Sequence, residues 1–250
     1  MRLEGDLKSA RRRFFEECPT NLYFLLGLRY KWMNNYIGNQ KRIFELGCGA
    51  GFSKTFIKNN HLKLTDVSNE DWVDIYVDAM NLPFPDGSVD VLICSHMLHH
   101  LAYPMQFFEG ASRALRPGGL ILISEINTSL LMRFLLRLMR HEGWSYDVNP
   151  FDRNEVANDP SDPWSANCAI PEMLFRDEHR FEDNLPQYRV VHNQLTECFI
   201  FPLSGGVIAR SPTINLPLVL LKMIEKLDRF LIILFPDVFA LGRNVVLQKQ

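Results

Sequence analysis

Three glycines at alternate positions follow the apolar stretch of residues 42–46. Gly47, Gly49 and Gly51 are spaced G-x-G-x-G, and Glu45 stands two positions before the first of them. Glycine tolerates backbone angles closed to other residues, and without a side chain it lets a ligand approach the backbone. A helix that begins after such a turn presents free N–H groups and the positive end of its dipole. The stretch therefore predicts a nucleotide-type pocket at the first strand–helix turn of an open parallel sheet.

The spacing of the glycines separates two classes of cofactor. A dinucleotide-binding turn reads G-x-G-x-x-G, which is not the spacing found at this turn. The sequence E-L-G-C-G-A-G, residues 45–51, instead resembles motif I of the class I S-adenosylmethionine-dependent methyltransferases. The resemblance implies that Glu45 shapes the pocket for the methionine end of the cofactor. The residues implied to bind there are those of the turn itself, Gly47, Cys48, Gly49 and Gly51. A turn that only closes a strand–helix unit is the alternative.

Two further acidic residues fit the same cofactor. Asp66 ends the predicted second strand at about the distance from the glycines expected of a ribose-binding carboxylate, although it could instead cap a turn. Only residues 67–72 separate it from the next predicted strand, 73–77, so the usual second crossover helix is expected to be a loop. Residues 78–90, D-A-M-N-L-P-F-P-D-G-S-V-D, closely resemble the signature of the type 11 branch of these methyltransferases. The resemblance implies that Asp78 accepts the adenine amino group, in a purine slot formed by Ala79 and Met80.

Histidines cluster after the predicted fourth strand, residues 90–94. That strand would deliver Ser95, whose backbone is a candidate for the methionine end of the cofactor, and His96 to the carboxyl edge of the sheet. His96, His99 and His100 fall at i, i+3 and i+4, so one helical face could carry all three. Such a triad could bind a metal, but members of this branch generally need none, and no metal is expected. The histidines could pack near the cofactor, or one could deprotonate an acceptor hydroxyl, because histidine titrates near neutral pH. The candidates for catalysis are His96, His99 and Glu125.

The predicted element order matches the class I methyltransferase fold. It is an α/β, Rossmann-like fold with a seven-stranded, mostly parallel sheet of order 3-2-1-4-5-7-6 and helices on both faces. A helix is expected after the glycine turn to about residue 59, a sixth strand over 188–201 and a strongly apolar helix over 216–234. The chain is interpreted as a single domain, 1–250, in four parts: an N-terminal helical cap (1–39), a cofactor-binding core (40–126), a helix with a lid-like insertion (128–186), and C-terminal strands with the apolar helix (187–250).

Segments outside the core could contact an acceptor or a membrane. Arg11, Arg12 and Arg13 predict a solvated basic face on a packing helix, with anionic lipid or a polyanionic acceptor as the alternative. The apolar stretch 216–239 is expected to pack on the sheet, but it could lie on a membrane or against a dimer partner. The insertion is expected to determine acceptor specificity, because long loops in compact domains are usually functional or disordered. Its candidate residues are His141, Glu142, Trp144, Trp164 and Asn167.

Composition limits the remaining possibilities. The 250 residues carry a formal net charge of -2, so no nucleic-acid partner is indicated. Five cysteines without paired spacing do not suggest a disulfide framework, and a cytoplasmic setting, peripheral to a membrane at most, is the default expectation. The predicted function is transfer of a methyl group from S-adenosyl-L-methionine to a small-molecule, sugar or lipid-linked acceptor by in-line displacement. The alternative is a catalytically silent module of this fold that binds a protein partner. The oligomeric state is left open.

Overall fold

A single twisted sheet organises the computed structural model, which describes residues 6–139, 142–208 and 211–250. Within these residues the sheet has seven strands in the order β3-β2-β1-β4-β5-β7-β6, and this confirms the predicted order. Pairing is parallel from β3 to β5 and antiparallel on both sides of β7. The strands are β1 (Ile43–Leu46), β2 (Leu62–Asp66), β3 (Ile75–Tyr76), β4 (Val89–Ser95), β5 (Leu115–Ile126), β6 (Tyr188–Thr196) and β7 (Gly242–Lys249).

Helices cover both faces of the sheet and build the N-terminal layer. A π-helical segment, Arg13–Glu17, and a 3-10 segment, Lys31–Met33, lie between the first helices. The α-helices are α1 (Leu7–Arg12), α2 (Thr20–Tyr30), α3 (Asn34–Ile37), α4 (Pro104–Ala114), α5 (Leu130–Met139), α6 (Ile170–Phe175), α7 (Glu178–Asn184), α8 (Ile200–Leu203), α9 (Leu218–Leu234) and α10 (Pro236–Phe239).

The central strand β4 is apolar except for Asp90, which pairs with Arg42 and Arg116, and the terminal Ser95, because both faces of the sheet are covered. Its residues 89–94 are buried, as expected of a parallel strand with helices on each side. One buried cluster joins β4 to Phe107 and Phe108 of α4, and another joins β1 and β2 to Leu22 and Leu26 of α2. This double burial fixes the carboxyl ends of β1, β2 and β4 at one edge of the sheet.

The predicted helix after the glycine turn is wrong in extent. Only one 3-10 turn, Phe52–Thr55, forms there. The Asn34 side chain bonds the backbone beyond it, donating to the Phe56 carbonyl at 3.0 Å and accepting from the Lys58 N–H at 2.8 Å. The N-terminal layer thus binds backbone groups that a longer helix would have used internally. The loop expected after Asp66 is confirmed, and the following strand is shorter than the predicted 73–77.

The predicted sixth strand is also too long. It ends at Thr196, and the chain then turns into α8. The buried Asp228 of α9 accepts the backbone N–H groups of residues 198–200 at 3.0–3.1 Å, so it satisfies donors that a strand would have paired with β7. A carboxylate that accepts several N–H bonds fixes a turn at this point. The predicted apolar helix begins at Leu218 instead of residue 216.

Candidate active site

The glycine turn lies at the carboxyl end of β1 in a conformation that favours glycine. Gly47, Gly49 and Gly51 have φ angles of +64°, +51° and +71°. A Cβ atom on Gly47 would lie 2.6 Å from the Met97 Cγ atom, so no side chain fits there. Among the residues that the structure describes, a Cβ on Gly49 would meet only the Leu7 Cδ2 atom, at 3.8 Å. The space beside Gly49 is a cradle that a ligand can occupy.

A cavity of about 840 Å³ extends from this turn to the insertion after α5. Its volume is within the range of small-molecule and cofactor sites, roughly 300–1,000 Å³. The predicted residues Glu45, Gly51 and Glu125 are not part of its wall. The predicted residues that line it are Gly47, Cys48, Gly49, Asp66, Asp78, Ala79, Met80, Ser95, His96 and His99. The tertiary structure therefore brings ten of the thirteen predicted site residues to one cavity.

The two predicted cofactor carboxylates also hold their own turns. Asp66 accepts the Gly49 N–H at Oδ2 and the Ser68 N–H at Oδ1, both at 2.8 Å. Asp78 accepts the Met80 N–H at 2.9 Å through Oδ1. The two interpretations of Asp66, turn cap and ligand, are compatible, since a carboxylate oxygen can accept more than one hydrogen bond.

Glu45 lies behind the turn and is buried. It accepts a short hydrogen bond from the Ser53 hydroxyl, and its backbone carbonyl accepts from the Thr65 hydroxyl at 2.7 Å. Burial raises its pKa to about 7, with the charge of Asp66 adding to the rise, while hydrogen bonds from Ser53 and Tyr30 oppose it. Glu45 therefore supports the turn from behind.

His99 and Glu125 form a buried pair whose histidine faces the cavity. The His99 Nδ1 atom lies 2.6 Å from Oε2 of Glu125, and Oε1 accepts the Leu98 N–H at 2.6 Å. The His99 Nε2 atom lies 3.8 Å from the Glu142 carboxylate across the cavity. Burial lowers the pKa of His99, but the charge and hydrogen bond of Glu125 and the charge of Glu142 outweigh burial, so the pKa is raised.

The three histidines are not on one helical face, and this expectation is corrected. His96 has a φ of +53°, and only Leu98–His100 form a 3-10 turn. Burial places the pKa of His96 well below the usual value, and burial with the neighbouring His99 charge lowers that of His100 to about 4. Among the three, only His99 combines a raised pKa with a carboxylate partner.

Two groups of side chains have the composition of a cation site. Their ligand atoms lie within 4.8 Å of one another, in the sets His96, His99, Glu125 and His99, His100, Glu142. Both sets share His99, and the first would have to break the His99–Glu125 contact. The absence of a required metal stays a prediction.

Two of the five candidate residues of the insertion reach the cavity. Glu142 and Trp164 line it, whereas Trp144 and Asn167 do not. Asn167 instead holds the insertion together by accepting the Ser145 N–H at 2.9 Å. His141 lies outside the described residues, as does Arg140.

Several residues of the site were not predicted from the sequence. Arg29 lines the cavity and forms a buried bidentate pair with Glu197, with both contacts at 2.7 Å. Asn158 donates to the carbonyls of His99 and Leu101, both at 2.9 Å, and so fixes the histidine turn. Partners this distant in sequence leave no motif, so spacing gave no signal for them.

The prediction of a solvated basic face is wrong for two of the three arginines at 11–13. Arg11 donates to the Ala50 carbonyl at 2.7 Å and stacks on Trp72. Arg13 donates to the Gly206 carbonyl at 2.7 Å. Only Arg12 is exposed. These contacts tie the N-terminal layer to the mouth of the cavity.

The 3-2-1-4-5-7-6 sheet, the glycine turn after β1 and the acidic residues after β2 and β3 together define the class I methyltransferase fold. A family model described as a methyltransferase domain matches residues 44–123. This segment is a class I S-adenosylmethionine-dependent methyltransferase domain of the type 11 branch, and the family and fold imply S-adenosyl-L-methionine as the cofactor.

Curated relatives match about half of the chain. A probable S-adenosylmethionine-dependent methyltransferase of Mycolicibacterium smegmatis is 28% identical over 126 residues, 46% of each chain. A ubiquinone biosynthesis O-methyltransferase of Cupriavidus pinatubonensis is 27% identical over 128 residues, 44% of this chain and 51% of the relative. The chain thus spans about half the length of these relatives. Among solved structures, a SAM-dependent methyltransferase from Archaeoglobus fulgidus aligns with a TM-score of 0.49 and 17% identity, covering 91% of this chain and 99% of that one.

Proposed function

We propose that this chain transfers a methyl group from S-adenosyl-L-methionine to a hydroxyl oxygen of a small-molecule, sugar or lipid-linked acceptor. The observation that carries the proposal is the His99–Glu125 pair, which opens onto the same cavity as the glycine turn and the two acidic residues. We also propose that residues 1–250 form a single domain in four parts: the cap (1–39), the cofactor-binding core (40–126), the helix with its insertion (128–186) and the C-terminal segment (187–250).

The residues of the cavity fit the cofactor. S-adenosyl-L-methionine supplies an activated methyl group on its sulfonium sulfur. The protein therefore mainly has to orient the two reactants and exclude water. The space beside Gly49 admits the methionine end, with the backbone groups of Gly47 and Ser95 nearby. Asp66 is proposed to accept from the ribose hydroxyls, and Asp78 from the adenine amino group between Ala79 and Met80.

His99 is proposed as the general base. The Glu125 carboxylate favours the His99 tautomer whose proton is on Nδ1. The Nε2 atom can then take the proton of the substrate hydroxyl from the cavity side. The proton at Nδ1 stays between the imidazole and the carboxylate, which stabilises the imidazolium that forms. Base catalysis by a positioned side chain contributes roughly 10²–10⁴ in rate.

The side chains that line the cavity indicate which kind of acceptor it would bind. Apolar residues of α5, Met132, Leu136 and Met139, line one wall, and Trp164 lines another. Two relatives are named for quinone substrates, the ubiquinone biosynthesis O-methyltransferase and a demethylmenaquinone methyltransferase of Clavibacter sepedonicus, 30% identical over 103 residues, 35% of this chain and 42% of the relative. These features support an acceptor that has an apolar part and a hydroxyl group.

Calorimetric titration with S-adenosylhomocysteine and, separately, NADH tests the cofactor. We expect binding of the first ligand only, weakened at least tenfold by Asp78→Ala. Asp86→Ala is the matched control, because Asp86 belongs to the same motif but lies outside the cavity wall. No binding of S-adenosylhomocysteine to the wild type would contradict the proposal.

Methyl transfer is then measured with labelled S-adenosyl-L-methionine on a panel of phenols, sugars and polyprenyl-linked sugars. We expect His99→Gln to lower the rate at least 100-fold with little change in cofactor affinity. His61→Gln, at an exposed histidine that is not part of the cavity wall, is the control. Cofactor binding without transfer to any acceptor of the panel would contradict these acceptor classes, whereas absence of cofactor binding would favour the catalytically silent module.

A further inference from the structure

Helix α9 exposes an apolar face to solvent along its whole length. Seven large apolar side chains of this face are between 44% and 79% exposed: Val219, Leu220, Met223, Leu227, Phe230, Ile233 and Leu234. The opposite side of the helix packs on the domain through Leu221 and Ile232, which are buried. Apolar patches of this kind on a folded domain mark binding surfaces. We name these seven residues the α9 face.

Basic side chains border the α9 face. Lys222, Lys226 and Arg229 are exposed and, at 3.6 residues per turn, lie on one flank of it. The two acidic residues of the helix are turned away from solvent. Asp228 is buried, where it accepts backbone N–H groups, and the Glu225 side chain is 16% exposed and paired with Arg229. The solvent side of the helix is therefore apolar and positively charged.

We propose that the α9 face docks on the surface of an anionic lipid bilayer, with the helix lying parallel to the membrane. An amphipathic helix with a basic flank binds such a surface by burying its apolar side and pairing its cations with lipid headgroups. The helix has 17 residues, about 25 Å in length. None of the helices in the described part of the chain has the length and hydropathy of a membrane span.

Helix α5 has a second exposed apolar side. Leu130, Phe134 and Leu138, spaced i, i+4 and i+8, are 57–69% exposed on one side, while Met132 and Leu136 on the other side line the cavity. Helix α10 packs against both α5 and α9. A single helix layer therefore separates the cavity from this second apolar surface.

The inner side of α9 also adjoins the cavity wall. Leu221 and Ile224 pack with Phe201 and Val207, and the latter two line the cavity. Docking would thus place the acceptor end of the cavity beside the bilayer, which favours a lipid-linked acceptor within the proposed range. This consequence for the acceptor rests on the proposed function, whereas docking itself rests only on the exposed apolar and basic side chains.

Charge favours a bilayer over a second copy of the chain. In a two-fold dimer the same patch faces itself, so the α9 faces of two copies would bring together Lys222 and Lys226 of each copy, besides two Arg229 side chains that are each already paired with Glu225. Anionic headgroups supply the opposite charge. A dimer through this face remains a distinct outcome of the experiment.

Co-sedimentation of the full chain with vesicles tests the proposal, using phosphatidylcholine alone and phosphatidylcholine with 30% phosphatidylglycerol. We expect binding to the anionic vesicles that weakens with salt, and a loss of at least tenfold for Phe230→Glu/Ile233→Glu. Val191→Glu, an exposed apolar residue on β6, is the matched control and should bind as the wild type does. Lys222→Gln/Lys226→Gln, which keeps the apolar side chains, should reduce binding to anionic vesicles severalfold.

Light scattering and S-adenosylhomocysteine titration accompany each variant. Unchanged cofactor binding shows that a variant is folded and separates this experiment from the proposed function. The proposal is overturned if the wild type does not bind anionic vesicles, or if Val191→Glu loses as much binding as Phe230→Glu/Ile233→Glu. A wild-type dimer that Phe230→Glu/Ile233→Glu dissociates would also overturn it, because a second copy would then cover the face.

Discussion

Glu125 fixes the orientation of the His99 imidazole from a position behind the cavity wall. Each carboxylate oxygen makes one contact. Oε2 lies 2.6 Å from Nδ1 of His99, and Oε1 accepts the N–H of Leu98 at 2.6 Å. The backbone contact prevents the carboxylate from rotating away from the ring. The imidazole is therefore held with Nε2 towards the acceptor side of the cavity.

The pKa of His99 should lie above the usual histidine value of roughly 6.5. Glu125→Gln removes the nearest negative charge and should lower that pKa, as followed by NMR titration of the ring. Because the folded-state pKa is raised, the stability that His99 contributes is fully present below about pH 6.5 and is lost as pH rises through the folded pKa.

The rate of methyl transfer should depend on pH in the opposite direction to the stability that His99 contributes. The base must be neutral, so the rate should rise as pH increases through the pKa of His99, and Glu125→Gln should move this rise to lower pH while reducing the plateau. A pH–rate profile on the identified acceptor measures both. A rise unaffected by Glu125→Gln would assign the titration to another group.

The glycines of the turn should respond differently to alanine. Gly49→Ala adds a Cβ directed into the ligand cradle, so we expect at least a tenfold loss of S-adenosylhomocysteine affinity with about 1–2 kcal/mol of left-handed backbone strain. Gly47→Ala adds a clash with Met97 and should unfold at a lower temperature. Gly38→Ala, with φ +50° and open space around its Cβ, isolates the backbone strain. If Gly49→Ala and Gly38→Ala lose the same affinity for S-adenosylhomocysteine, the ligand does not bind in the cradle beside Gly49.

The buried pair of Arg29 and Glu197 should be important for stability. Arg29→Met leaves a buried carboxylate without its partner, which costs about 3–5 kcal/mol, measured as the free energy of unfolding in urea. Arg29→Met/Glu197→Gln should recover a large part of this loss. Arg153→Met breaks an exposed pair with Glu109 and should cost less than about 1 kcal/mol. A loss of that small size in Arg29→Met would show that the pair is dispensable.

Asp66 should couple the turn to the cofactor. Asp66→Ala removes the acceptor of two backbone N–H groups, which costs about 1–3 kcal/mol, and it should also weaken S-adenosylhomocysteine at least tenfold. Asp71→Ala in the following exposed loop is the control for both thermal unfolding and calorimetry. Reduced stability with unchanged affinity would leave Asp66 as a turn cap only.

Local pattern determined most of the sheet and one end of the cavity. The glycine turn and the 78–90 segment are contiguous motifs, because backbone conformation and ligand contact there depend on neighbouring residues. The strand order follows from the same resemblance, and β4 reads as a buried run because a central parallel strand is covered on both faces. Two of the element ends that were predicted wrongly, after Gly51 and after Thr196, are those where Asn34 and Asp228 bind backbone groups that are distant in sequence.

Only the tertiary structure separated His99 from His96, the other histidine that the sequence offers as a catalytic candidate. Their difference comes from Glu125, which reaches His99 across two neighbouring strands, and from burial that no local pattern records. The sequence also showed that α9 is apolar, but not which of its sides the domain covers. That depends on where Leu221, Asp228 and Ile232 find partners, because an amphipathic helix is oriented by the surface on which it packs.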